Sequence, residues 1–313
     1  MRIGFFGTPD IAAYCLSKLI DFSEIAFVVT AEDKPSGRKR RIVNNPVKGI
    51  ALDKGIPIFQ PINLIEGSFV DKIKRHEADV YVVVAYGRLL PKEIYTIPHL
   101  NTINLHPSLL PKYRGAAPIQ WAILNGDTET GITIQLMNER LDAGDILIQK
   151  KIPIDKDMTA GDLFNQSLPI GVELIREVIG LLASGISTPI RQKEDEATYC
   201  MKIDREIAQI NWGRTSMEIH NLVRGLNPKP IAWTNFRGKS IKIWKTRLID
   251  EGIDCNIGLG FLKIYKKRLF TRTGDGYVEI LQLQPEAKRV MDGSSFINGY
   301  RVIEGDRFDI INV

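Results

Sequence analysis

The feature that most constrains the fold is an uninterrupted apolar run, DVYVVVA, at residues 79–85. A strand with one face in water alternates apolar and polar residues, whereas a strand covered on both faces of a parallel sheet is apolar throughout. Other strand-like runs alternate with segments of helical periodicity over the first 185 residues. This alternation predicts an α/β fold with a Rossmann-like, mostly parallel sheet.

The boundaries of these elements follow from apolar periodicity and from turn residues. Strands are predicted at residues 2–6, 25–29, 79–85, 102–105, 131–136 and 145–152. Helices are predicted at residues 9–19, with a proline at the first position, and at 46–54, 118–125 and 160–183.

The pattern changes after about residue 186. One further helix is predicted at residues 214–226, and five short β-type runs follow at 231–235, 240–244, 261–265, 268–271 and 277–283. Such short strands separated by turn residues predict a small, OB-like β-barrel. We therefore expect a catalytic α/β domain at residues 1–186, a linker at 187–204 and a C-terminal β-barrel domain at 205–313.

Positive charge is concentrated in two places. The net charge is +5, and residues 205–313 alone carry 18 Lys and Arg against 12 Asp and Glu. The other concentration is the loop KPSGRKRR at residues 34–41. Two basic segments on one chain favour an anionic partner.

Other whole-chain features indicate a cytoplasmic protein. No apolar run approaches the ~20 residues that cross a bilayer, and the N-terminal MRIGFFGTPD enters a strand-like run rather than a signal peptide. Cys15, Cys200 and Cys255 are too far apart for a Cys-rich zinc site or a disulfide framework. We expect a monomer that needs no metal and no membrane.

Two polar residues at the end of a predicted strand form the candidate chemical site. Asn104 and His106 are two residues apart, so their side chains leave the strand on the same face. Ligands of open α/β sheets bind beyond the carboxyl ends of strands. An amide beside an imidazole can stabilise an oxyanion and move a proton. Asp142, in the turn LDAGD, can orient the histidine or accept a proton.

Taken singly, each of these residues also fits an ordinary structural role. The other histidines, His76, His99 and His220, have no metal-ligand spacing. Gly4 and Gly7 do not complete a GxGxxG motif, which disfavours a nicotinamide-dependent dehydrogenase. Spacing alone predicts an α/β enzyme with its site near His106.

Longer motifs add a resemblance to a family. NLHPSLLPKYRGAAPIQWAI and LDAGDIL closely resemble the folate-dependent formyltransferases, and similar segments such as FFGTPDIA and LQLQPEAKRVMDG extend this likeness over nearly the whole chain. The resemblance implies 10-formyltetrahydrofolate as the formyl donor. It also implies that Asn104 and protonated His106 bind the developing oxyanion, while Asp142 orients the histidine and helps to remove the proton of the attacking amine.

Two binding segments are implied in the same way. The residues that match the family's tetrahydrofolate-binding stretch are Ser108, Leu109, Leu110 and Pro111. The basic loop resembles an insertion carried by the tRNA-specific members, which implies tRNA contacts by Lys34, Arg38, Lys39, Arg40 and Arg41. The implied acceptor is the α-amine of methionine on initiator tRNA.

Two other interpretations remain open at this stage. An amino-sugar N-formyltransferase would have the same catalytic trio and would typically lack the basic loop. A non-catalytic RNA-binding protein is disfavoured by the intact trio. The chain also departs from the family where Lys229 and Ile231 replace the usual Trp and Gly, and where Ala287 replaces a common Gly.

Overall fold

The computed structural model describes residues 1–36, 41–249 and 257–310. The chain divides into two compact units. Unit 1 comprises residues 1–115, 130–152 and 165–200, and unit 2 comprises residues 116–129, 153–164 and 201–313.

The strands are numbered in chain order: β1 Arg2–Gly7, β2 Glu24–Val29, β3 Lys34–Ser36, β4 Arg41–Val43, β5 Ile58–Phe59, β6 Val80–Val84, β7 Thr102–His106, β8 Arg114–Gly115, β9 Glu129–Leu136, β10 Ile146–Pro153, β11 Tyr199–Cys200, β12 Ala232–Phe236, β13 Lys239–Leu248, β14 Leu262–Tyr265, β15 Arg268–Arg272, β16 Tyr277–Pro285 and β17 Met291–Asp292. The α-helices are α1 Asp10–Leu19, α2 Pro46–Asp53, α3 Gly67–Lys74, α4 Lys92–Tyr95, α5 Pro118–Leu124, α6 Ala160–Ala183, α7 Ser216–Gly225 and α8 Gly293–Tyr300. No helix in the described part of the chain combines the length and apolarity that crossing a membrane requires.

Unit 1 is built on a seven-stranded sheet in the order β10-β9-β7-β6-β1-β2-β5. The pairs from β7 through β6, β1 and β2 to β5 are parallel, whereas β9 runs antiparallel to β7. Every residue of β6 is buried, as its apolar run requires for a strand covered on both faces. The prediction of a Rossmann-like, mostly parallel sheet is therefore confirmed.

This topology places two loops at one edge of the sheet. β6 and β7 are parallel neighbours, with Val84 paired to Leu105, so both strands end side by side. The loop that follows β6 and the loop that follows His106 therefore leave the same edge. That edge is where open α/β sheets bind their ligands.

Unit 2 contains the predicted C-terminal barrel. Its antiparallel sheet has the order β12-β13-β16-β15-β14, and β17 adds to β16. Phe308 forms a bridge to Phe236 at the end of β12, and Arg307 forms one to Phe261 just before β14. The segment 306–309 therefore hydrogen-bonds to both edges of the sheet and closes it.

The core of unit 2 combines this barrel with helix α7. Trp212 is fully buried and stacks on Phe308 with ring centroids 5.2 Å apart. Helix α7 begins at a capping box, in which the Thr215 side chain and Glu218 satisfy each other's backbone N–H groups. Capping fixes the start of the helix, and its buried face packs against the apolar interior of the barrel.

Candidate active site

The three residues that the sequence predicts for catalysis come together in unit 1. The amide nitrogen of Asn104 lies 3.4 Å from Asp142 Oδ1, and Nδ1 of His106 lies 3.5 Å from the same oxygen. His106 is 4% exposed, and Asn104 is half-buried. Both residues are on β7, two positions apart, so the strand itself directs their side chains to one face.

The carboxylate of Asp142 is held by two further donors. Its Oδ2 accepts a hydrogen bond from the backbone N–H of Gly115 at 2.9 Å, and its Oδ1 accepts one from the Gln135 side chain at 3.2 Å. These two contacts are shorter than those to Asn104 and His106. The carboxylate is therefore anchored independently of the two groups that it faces.

The second nitrogen of the His106 ring also has a hydrogen-bond partner. Nε2 of His106 lies 2.9 Å from the backbone carbonyl oxygen of Tyr113. A carbonyl oxygen can only accept, so Nε2 carries a hydrogen. Nδ1 is consequently the nitrogen that faces Asp142.

The turn that carries Asp142 has a constrained backbone. Asp142 has a φ of 48°, in the left-handed region. A Cβ on Gly144 would stand 1.7 Å from the carbonyl oxygen of Leu136, so only glycine fits there. The side chain of Asn138 also donates to the carbonyl of Ala143 at 2.9 Å. The position of the carboxylate thus depends on this tight turn.

The predicted folate segment is a fixed loop directly after the histidine. The Ser108 hydroxyl donates to the carbonyl of Lys112 at 2.6 Å. The backbone N–H of Leu110 donates to Thr133 at 3.1 Å, and its carbonyl accepts from Gln149 at 2.9 Å. Ser108 and Leu110 are buried, whereas Leu109 and Pro111 are partly exposed. The described polar contacts of Ser108 and Leu110 are therefore internal to unit 1.

A cavity of about 370 Å³ borders the loop that follows β6. Its apolar lining includes Leu64, Leu89, Leu90 and Tyr95, and Glu139 also lines it. Glu139 belongs to the same β9–β10 connection as Asp142. Burial raises the pKa of Tyr95, and the nearby carboxylate of Glu139 raises it further, so its hydroxyl remains a hydrogen-bond donor.

Arg88 is one of two cationic residues that line this cavity, with Lys92. Its guanidinium donates to the carbonyls of Pro61 and Ile62 at 2.8 and 2.9 Å, which ties the β6 loop to the segment after β5. Apolar walls with a few polar groups at the rim are typical of a small-molecule site.

The predicted tRNA-binding residues are only partly within the described chain. Arg38, Lys39 and Arg40 lie outside the described residues. Lys34 and Arg41 fall in β3 and β4, which pair antiparallel. Across the described ranges, no group of three or more His, Cys, Asp or Glu side chains is arranged to hold a metal ion.

Sequence reasoning missed the residues that hold the trio in place. Gln135 lies on β9 opposite Asn104 of β7, so its amide reaches the same carboxylate. Its polarity inside the apolar run GITIQL was the available signal. Gly115 and Tyr113 contribute backbone groups, which no side-chain pattern reveals.

Comparison with known proteins shows the family of this chain. The family described as "Formyl transferase" matches residues 1–179, and "Formyl transferase, C-terminal domain" matches residues 202–301. The chain belongs to the formyl transferase family.

Individual relatives show which members of the formyl transferase family the chain is similar to. The chain is 41% identical over 307 residues to the methionyl-tRNA formyltransferase of Clostridioides difficile (strain 630), covering 97% of this chain and 99% of the relative. It is 43% identical over 314 residues to that of Leptospira interrogans serogroup Icterohaemorrhagiae serovar copenhageni (strain Fiocruz L1-130), covering 98% and 100%. Both likenesses span the α/β part and the barrel together.

A solved structure also shares the fold. It is WlaRD, a sugar 3N-formyl transferase crystallised in the presence of dTDP and 5-N-formyl-THF, with a TM-score of 0.67 and 23% identity. The match covers 92% of this chain and 99% of that one.

Proposed function

We propose that this protein transfers the formyl group of 10-formyltetrahydrofolate to the α-amino group of methionine on initiator tRNA, for translation initiation. The observation that carries the proposal is the convergence of Asn104 and His106 on Asp142 Oδ1 within 3.5 Å. The names of the full-length relatives support the choice of acceptor.

In this proposal, Asn104 and His106 stabilise negative charge. When the amine attacks the formyl carbon, the formyl oxygen becomes an oxyanion. The Asn104 amide and Nδ1–H of His106 lie on one face of β7 and make long contacts of 3.4 and 3.5 Å with Asp142 Oδ1. In this proposal they share their hydrogens between that oxygen and the oxyanion, and donors positioned in advance lower the barrier to acyl transfer. The Tyr113 carbonyl keeps the ring oriented by accepting from Nε2.

Asp142 has two roles that its geometry supports together. Its anchored carboxylate orients the ring of His106, whose Nδ1 lies 3.5 Å from Oδ1. Its Oδ1 also accepts the proton that the attacking nitrogen must lose. Asp142 then gives this proton to N10 of the folate as the bond between N10 and the formyl carbon breaks. The products are the formylated amine and neutral tetrahydrofolate, which balances the transfer.

Binding of the co-substrate is assigned to the cavity and to the neighbouring loop. The cavity beside Leu89, Leu90 and Tyr95 has an apolar lining for a flat pterin ring, and Arg88 and Glu139 also line it. The neighbouring loop is the one that follows β7 and leaves the same end of the sheet. It contains Ser108, Leu109, Leu110 and Pro111. The residues present fit a folate-type ligand.

Binding of tRNA is assigned to the basic loop and to the C-terminal domain. Lys34, Arg38, Lys39, Arg40 and Arg41 would neutralise phosphates of the acceptor stem. In this assignment, residues 1–186 form the catalytic domain, 187–204 the linker and 205–313 the tRNA-binding barrel of a cytoplasmic monomer. Residues 187–200 of this linker belong to compact unit 1.

The decisive experiment compares acceptors. The purified protein is incubated with 10-formyltetrahydrofolate and either Met-tRNA or a dTDP-amino sugar, and the products are separated by mass. We expect formyl-methionyl-tRNA and an unmodified sugar nucleotide. Formylation of the sugar alone would replace the proposed function with the amino-sugar alternative, and no product with either acceptor would contradict formyl transfer.

A further inference from the structure

A buried glutamine outside the trio contacts the backbone of the Asp142 turn. Gln192 is 5% exposed. Its amide nitrogen donates to the carbonyl of Asp142 at 3.0 Å and to that of Gly144 at 2.7 Å, and it lies 3.2 Å from Oε1 of Gln135. One side chain therefore spans both ends of the turn that presents the catalytic carboxylate.

The orientation of this amide is fixed by its neighbours. Oε1 of Gln192 accepts two hydrogen bonds from Arg114, at 3.1 and 2.8 Å, and a guanidinium can only donate. The carbonyls of Asp142 and Gly144 can only accept, so the nitrogen must face them. Arg114 itself is fully buried and also pairs with Glu194 at 3.1 Å.

Residues around Gln192 contact the same turn at two more points. Ile190 pairs with Ile146 through two backbone hydrogen bonds of 2.8 Å, just after the turn. Glu194 accepts from Arg140 at 3.0 Å, just before Asp142. The turn is thus held before, within and after the catalytic residue by one segment.

The same segment holds the loop that contacts the histidine. Strand β11 pairs with β8, which contains the Gly115 N–H that binds the Asp142 carboxylate. Thr198 accepts from the backbone N–H of Tyr113 at 2.9 Å, and the carbonyl of Tyr113 is the partner of His106. Residues 190–200 therefore connect the surroundings of His106 to those of Asp142.

We infer that Gln192 is a positioning residue for formyl transfer, whose amide holds the Asp142 turn so that the carboxylate faces Asn104 and His106. The inference rests on the proposed function. Displacing a reacting group by about 1 Å can cost about 10²-fold in rate. Loss of this amide should therefore lower kcat, whereas the binding of both substrates, which Gln192 does not contact in this assignment, should be unchanged.

The test is the variant Gln192→Glu, assayed for formylation of Met-tRNA beside the wild type. A carboxylate retains an acceptor for Arg114 but places an oxygen against the carbonyls of Asp142 and Gly144. We expect kcat to fall by about 10²-fold with the KM values for Met-tRNA and formyl-folate unchanged. The matched control is Gln60→Glu in the same unit, since Gln60 also donates to a backbone carbonyl, at 2.7 Å, and accepts from a cation, Lys48, at 2.8 Å.

The possible results distinguish a failure of the proposed function from a failure of the positioning role of Gln192. An inactive wild type contradicts the proposed function. An active wild type, together with a folded Gln192→Glu variant that keeps the wild-type kcat, overturns the positioning role, even if its melting temperature is lower. If the buried carboxylate prevents folding, the uncharged and similarly long Gln192→Met variant is judged by the same two results.

Discussion

The backbone N–H of Gly115 donates to Oδ2 of Asp142 at 2.9 Å, while Oδ1 of the same carboxylate faces Asn104 and His106. The two oxygens therefore have separate roles, since Oδ2 anchors the side chain and Oδ1 serves the chemistry.

Asp142→Asn tests this division. An asparagine can keep one oxygen for Gly115, but its NH₂ group then faces the donors of Asn104, His106 and Gln135. We expect kcat to fall by about 10²–10³-fold, with KM for Met-tRNA little changed. Steady-state formylation measures both, and Asp71→Asn on the exposed face of α3 is the control. Wild-type turnover in Asp142→Asn would show that the carboxylate is dispensable.

The two donors on β7 give a second prediction. His106→Ala and Asn104→Ala each remove one donor from the site of the developing oxyanion, so each should lower kcat by about 10²–10³-fold. Both residues lie at the end of β7 rather than in its middle, so the protein should still fold and bind tRNA. Circular dichroism and filter binding would establish this. Near-normal turnover in either variant would contradict the assigned mechanism.

Gly144 offers a steric test of the turn. An added Cβ would lie 1.7 Å from the carbonyl oxygen of Leu136, so Gly144→Ala requires a backbone shift next to Asp142. Overpacking of this kind typically costs about 1–3 kcal/mol, and kcat should fall as well. Gly49→Ala in α2 meets no atom within 4 Å and should be neutral or stabilising. Thermal unfolding compares the two; equal melting temperatures would refute the steric argument.

The basic loop is tested by replacing Arg38, Lys39, Arg40 and Arg41 together with alanine. If these residues contact phosphates, KM for Met-tRNA should rise strongly, and the dependence of log affinity on log salt should become shallower by about one per lost contact. KM for formyl-folate should not change. The control removes the exposed positive charges of Lys72 and Lys74 on α3. An unchanged salt slope would place the tRNA surface elsewhere.

His220 in unit 2 predicts a pH dependence of stability. Burial lowers the pKa of His220, and Arg224 lowers it further, against the opposing effects of its bond to the Lys156 carbonyl and of Asp157. The folded state therefore holds the ring neutral more strongly than the unfolded chain does. Stability is complete above the unfolded pKa of about 6.5 and is lost as the pH falls below it.

The measurement uses tryptophan fluorescence in denaturant between about pH 7.5 and pH 5. All four tryptophans, Trp121, Trp212, Trp233 and Trp244, lie in unit 2, so the signal reports that unit. His220→Gln should flatten the loss of stability in this range. The capping carboxylates Asp162, Glu218, Asp275 and Asp292 have lowered pKa values, so their contribution is lost at lower pH. If the stability of His220→Gln fell with pH as steeply as that of the wild type, His220 would not be the cause of the loss.

Much of the fold follows from local sequence, and the exceptions have physical reasons. The helix predicted at residues 160–183 is α6 itself, and the β6 run was apolar enough to identify a buried strand. Helix α3 was not predicted, because its short GSFVDKIK segment contains only two buried apolar positions. The closing segment 306–309 was also missed, because its pairing depends on partners distant in sequence.

The candidate site was likewise only partly predictable from the sequence. The positions of Asn104, His106 and Asp142 relative to one another follow from strand ends and from a family motif. The support from Gln192 could not be predicted, because a single glutamine in a polar stretch carries no periodic signal. Its role depends on the fold, which brings the Gln192 side chain to Gln135 and Asp142, 57 and 50 positions earlier in the chain.

The pairing of residues 306–309 with both sheet edges has a consequence for handling the protein. An unpaired edge strand is a template for other chains, and here a few residues near the C-terminus cover two such edges, at Asn235–Phe236 and Gly260–Leu262, through backbone hydrogen bonds of 2.9 Å. Truncation before Asp306 would expose both edges at once, together with the face of Trp212 that Phe308 covers. We therefore expect a chain cut at this point to associate through its open strand edges, which the intact segment prevents by occupying them.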